Sequence, residues 1–123
     1  MASISDLQSL AVGAAGWAVA IPAVKIAGSG VANGGTNEKA LALVVGIGIA
    51  SCTTPLLSYI MSWKTPHERV RGIALALGAA QVTDGLMHLF FPEFYSADKA
   101  VGLACAGNIF YGAGLLGIFS AYQ

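Results

Sequence analysis

The chain alternates four long apolar runs with short polar stretches. The runs are Leu7 to Ile26, Ala40 to Trp63, Val70 to Phe91 and Ala100 to Tyr122, each of 20 to 24 residues. A helix needs roughly 20 residues to cross ~30 Å of hydrocarbon. Lipid offers no partner to an unpaired backbone group, so such a run must be a helix or a strand of a closed barrel. Strict alternation is missing, which favours helices. The pattern predicts an all-α fold of four transmembrane helices over about residues 5–27, 38–63, 66–91 and 97–121.

Helix-start signals agree with this division. Ser5 and Gln8 have capping-box spacing, Asn37 and Glu38 suit a second start, and Ser96 with Asp98 suits the fourth. Thr65, Pro66 and Glu68 form the fullest signal: a cap, proline at the first helical position and an acid three after the cap. The connections, 28–37, 64–69 and 92–99, are short. Consecutive helices should therefore run antiparallel as one domain over residues 1–123, with both termini on one side. GSGVANGG, from Gly28, lacks the third glycine of a dinucleotide fingerprint and reads as a flexible interhelical loop.

Composition sharpens the class. Hydrophobic residues make up 56% of the chain and charged residues 10%, against about 25% charged in soluble domains. The formal net charge is zero, so no basic footprint points to nucleic acid. The start, MASISDLQSL, has neither the cationic opening of a signal peptide nor the Arg-rich character of a transit peptide. Lys64, Arg69 and Arg71 in the middle connection outnumber Lys39 and Lys99 opposite, which biases that side and both termini toward the cytoplasm or its equivalent. Trp63, Phe94 and Tyr95 flank helix ends as interfacial aromatics do.

The third helix carries the polar interior. Ala74, Gly78, Gln81, Gly85 and His88 recur at helical spacing with Asp84 beside them, predicting an inward small-and-polar face. An intramembrane acid is costly and needs a partner. Lys25 ends the first apolar run at what looks like the same depth, so a structural Lys25–Asp84 ion pair or water bridge is the first expectation. A proton or ion pathway through Asp84 and His88 is the alternative, and snorkelling of Lys25 to solvent a third. His88 stands one turn from Asp84 and can hydrogen-bond to it. No second imidazole accompanies it, since His67 lies in the opposite connection. No cofactor or metal is therefore expected, apart from the option of a single axial contact from His88 to a pigment or haem.

Pro22 and Pro55 predict kinks in helices one and two. Pro55 frees a carbonyl that Ser51, Thr53, Thr54 or a water must satisfy. Asn108 and Tyr111 should supply interhelical hydrogen bonds or line a polar pathway. Small residues at Gly13 and Gly16, Gly46 to Ala50, Gly102 and Ala106, and Ala113 and Gly117 suit close helix contacts within the chain or with a partner. Cys52 and Cys105 fall at different depths, so no disulfide follows, and no nucleophile is arranged for catalysis.

WAVAIPAVKIAG (17–28), TPLLSYIMSW (54–63), ERVRGIALAL (68–77) and DGLMHLFFPEFY (84–95) together resemble a family of small four-helix integral membrane proteins of unknown function. The fourth helix, around Tyr111 to Leu116, fits the same layout. That family has a basic residue and glycine ending helix one, matched by Lys25 and Gly28, with Lys here where the family has Arg. It also has an acid on helix three leading to aromatics and a proline, matched by Asp84 and Phe90 to Pro92. The resemblance implies the topology and a link between Lys25 and Asp84, but no activity. The functional expectation is a non-catalytic accessory or scaffolding subunit in the bilayer, bound to other membrane subunits or to itself. A small oligomeric transporter or channel is the alternative.

Overall fold

The structure is a computed structural model and describes residues 4–123; the first three residues of the opening segment lie outside it. Four helices follow in order: α1 Ile4–Asn33, α2 Thr36–Ile60, α3 Pro66–Phe90 and α4 Lys99–Tyr122. All four are long and apolar enough to cross a bilayer. The fold is the expected antiparallel transmembrane bundle, with Asp6, Arg69, Arg71 and Ser120 meeting at the end that carries both termini.

Helix α1 is longer than its apolar run predicts. Its 30 residues span ~45 Å, and the stretch expected to be a loop continues as helix to Asn33. Asn33 Nδ2 donates to the Ser29 carbonyl one turn back, at 3.0 Å. Only Gly34 and Gly35 remain as a connection. A side chain at Gly34 would strike the Gly30 carbonyl and the Glu38 side chain, so the tight turn needs glycine there. Gly35, rather than Asn37, caps α2, and its flanking residues provide no side-chain cap. Ser5 already lies inside α1.

The α2–α3 turn is better built. Ser62 takes the left-handed conformation (φ 55°), its N–H meets the Tyr59 carbonyl at 3.2 Å, and Trp63 N–H meets the Ser58 carbonyl at 3.0 Å. This is a Schellman motif with serine where glycine is usual. Three residues on, the Thr65–Glu68 capping box forms in both directions, and Glu68 Oε2 also accepts Lys64 N–H at 2.8 Å. Asp98 caps α4 by accepting from the Ala100 and Val101 amides, while Ser96 Oγ accepts from Asp98 N–H.

Packing is uneven around the bundle. α1, α3 and α4 form a three-helix core, whereas α2 rests on α4, touches α1 lightly and scarcely meets α3. Glycines set the closest approaches. A methyl at Gly13 would collide with the Ala76 backbone of α3, and one at Gly28 with Cys105 of α4. On α2, Gly46 makes room for the Tyr111 ring, whose hydroxyl donates to the Leu43 carbonyl at 3.1 Å.

Both prolines sit within unbroken helices. Pro55 leaves the Ser51 carbonyl without its i+4 donor, and Gln123 Nε2 fills the vacancy at 3.2 Å. The nearby hydroxyls serve other carbonyls instead: Ser51 Oγ that of Gly48, and Thr53 Oγ1 that of Ile49.

Candidate functional site: a buried carboxylate in an aromatic enclosure

Asp84 is the acid around which the core closes. The connection after α3 leaves Phe91, Pro92 and Glu93 exposed and then turns inward. There Tyr95 is buried and Phe94 half-buried, so both rings pack within the chain. Tyr95 packs with Val101 and Cys105, and Ile21, Val24 and Met87 close around them.

Within this enclosure Asp84 Oδ1 accepts a hydrogen bond from the Tyr95 hydroxyl and another from Trp17 Nε1 at 3.2 Å. The same indole N–H is shared with the Tyr95 oxygen at 3.1 Å. Oδ2 faces His88 Nε2 at 3.6 Å, an ion-pair distance when the imidazole is protonated but too long for a hydrogen bond. The His88 ring stacks on Tyr95 at 4.6 Å between centroids. Phe94 meets Tyr95 edge-on at 5.2 Å and lies parallel to Trp17 at 6.1 Å. Burial, and next the adjoining Asp84 carboxylate, hold the Tyr95 phenol well above its ordinary pKa.

Lys25 does not pair directly with Asp84. Its ammonium sits over the Phe94 ring, 4.7 Å from the centroid. Helix register is the reason. α1 and α3 run parallel with Asp6 beside Arg71 and Trp17 beside Asp84. Lys25 is eight residues beyond Trp17, ~12 Å further along the axis, near the level where α3 has already ended. Equal depth was inferred from the end of an apolar run, but α1 continues past that point.

The expected inward stripe on α3 is rotated by one residue. Ile73, Ala76 and Asp84 are buried, whereas Ala74 and Gly78 face outward, and Gln81, Gly85 and His88 lie on the flank. Gln81 does not join the Asp84 cluster. Asn108 is on α4 with its amide nitrogen buried and unpaired among the described residues, and Tyr111 is committed to α2. The structure thus brings together Asp84 and His88 and leaves Gln81, Asn108 and Tyr111 apart from them.

Three participants escape a reading of the sequence alone: Trp17, Tyr95 and the Asp6–Arg71 pair. Arg71 Nε and Nη2 grip Asp6 bidentately at 2.8 and 3.0 Å. A signal for the pair did exist, since parallel helices one and three each begin with one of these opposite charges. Trp17 and Tyr95 give no such signal, because their meeting depends on a connection that folds inward.

Chemically, the site offers a carboxylate occupied by two donors and an imidazole nitrogen facing it. His88 Nε2 is turned toward Asp84, so an axial contact to a pigment or haem would fall to the other ring nitrogen. Among the described residues no group of three His, Cys, Asp or Glu side chains could hold a metal ion. No protein-family model, no curated protein and no solved structure matches the chain.

Proposed function

We propose that this chain is a non-catalytic, multi-pass membrane protein that serves as an accessory or scaffolding subunit of a larger membrane assembly. The observation that carries this reading is the outward face of α4. Leu103, Gly107, Phe110, Gly114 and Gly117 follow one another at spacings of four, three, four and three. Leu103 is 75% and Phe110 70% exposed, and among the described residues nothing beyond the helix's own adjoining backbone and chain neighbours lies within 4 Å of where a Cβ on any of those glycines would be. Alternating large and small side chains on a membrane-facing helix suits close backbone contact with another helix. The buried acid, meanwhile, is engaged within the chain. The test is purification from the native membrane in mild detergent, followed by sizing. Migration well above a 12.5 kDa chain in its micelle supports the reading, and a lone monomer contradicts it.

One observation favours a second reading, proton or ion transport by an oligomer. His88 Nε2 is buried without a hydrogen-bond partner beside Asp84. Asp84→Asn in reconstituted liposomes separates the two. Intact stability with lost proton- or ion-coupled flux favours transport, whereas lowered stability with no flux in the parent protein favours the structural role.

A further inference from the structure

An open groove of about 500 Å³ lies where α3 ends, walled by Met87, Phe91, Pro92 and Phe94, with Glu93 on its lining. It stands at the edge of the apolar zone: Leu89, Phe90 and Phe91 next to it are strongly exposed, and α3 has just given way to the connection. Lys25 is held at the same place, its Nζ 4.7 Å from the centroid of the Phe94 ring that forms one wall. Among the described residues no carboxylate comes within ion-pair distance of that ammonium, and Glu93 likewise has no cationic partner. One anion on the groove's lining, Glu93, and one cation against the ring of its Phe94 wall, Lys25, are therefore each unpaired within the described chain.

From this charge pattern we infer that the groove binds one membrane glycerophospholipid with a zwitterionic amine headgroup. The phosphate meets Lys25, the headgroup amine meets Glu93, and the upper acyl chain lies against Met87, Phe91 and Phe94. A cation at the border of an apolar run reaches toward lipid phosphates, and here the Phe94 ring face fixes it in place. Glu93 gives the selectivity, because a headgroup with net negative charge would set its charge against that carboxylate. Apolar lining and a position beside lipid-exposed side chains identify the source of the phosphate as a bilayer lipid rather than a free anion.

The experiment is native mass spectrometry of the full chain released from mixed vesicles of phosphatidylethanolamine and phosphatidylglycerol. The parent protein should retain the ethanolamine lipid preferentially, and Lys25→Gln should lower that retention about five-fold, the effect expected of one cation near a membrane surface. Lys25→Arg should preserve it, which separates loss of charge from loss of fold. Glu93→Gln, at an exposed connection, should keep lipid binding but erase the headgroup preference. Equal retention of the two lipids by the parent, preference for phosphatidylglycerol, or unchanged retention in a folded Lys25→Gln variant would overturn the inference.

Discussion

Two donors share Asp84 Oδ1, so the residues of the enclosure should behave as one unit. Asp84→Leu leaves the Tyr95 O–H buried without an acceptor, at about 1–3 kcal/mol, while the Trp17 N–H keeps the Tyr95 oxygen. The expected loss in thermal or denaturant unfolding is therefore about 1–3 kcal/mol, with Asp84→Asn milder because its amide oxygen still accepts. Trp17→Phe and Tyr95→Phe should each cost about 1–2 kcal/mol, and the double variant should depart from their sum, as residues in one network do. An absorbance titration of the phenols checks the electrostatics. The raised pKa means that the fold holds the Tyr95 proton more tightly than the unfolded chain does. Its contribution is complete below the ordinary tyrosine pKa near 10 and is lost as pH climbs above that toward the raised value. One phenol should consequently ionise later than the rest, and Tyr95→Phe should remove that late component.

At the scale of helices and turns, glycines divide into those that set contacts and those that face outward. Gly13→Ala forces a methyl into the α3 backbone and should destabilise by about 1–3 kcal/mol, the usual cost of overpacking. Gly78→Ala meets open space and should be neutral or stabilising by up to ~1 kcal/mol through helix propensity. Ser62→Gly relieves a left-handed serine and should stabilise by roughly 0.5–1 kcal/mol; unfolding in detergent measures all three. The hydropathy pattern made these helices legible, along with the Thr65–Glu68 box, because such signals are local; the fourth helix starts two residues later than expected, with Asp98 rather than Ser96 as its cap. Pairings between helices were not legible. The one-residue rotation of the α3 face, the offset between Lys25 and Asp84 and the burial of Tyr95 all depend on register. A four-residue glycine spacing allows contact without saying which neighbour makes it. Pro55 illustrates the same limit. The freed carbonyl was foreseeable from the sequence, but its donor, Gln123, comes from another helix.

Across the whole molecule, a three-helix core of α1, α3 and α4 carries the buried polar cluster, and α2 is an outrigger on α4. α2 exposes Leu41, Val44, Ile49 and Tyr59 to its surroundings with one open glycine, Gly48, among them, whereas the α4 stripe carries three open glycines, Gly107, Gly114 and Gly117. The proposed role rests on that contrast. Its most direct test is photocrosslinking in the native membrane from a benzophenone attached to a single introduced thiol, with Cys52→Ser removing the exposed native thiol and Cys105 buried. Gly107→Cys and Gly114→Cys should form adducts with a neighbouring protein or a second copy, while Val44→Cys on α2 should not. Adducts that are absent from the α4 face, or equally abundant at Val44→Cys, would contradict the account.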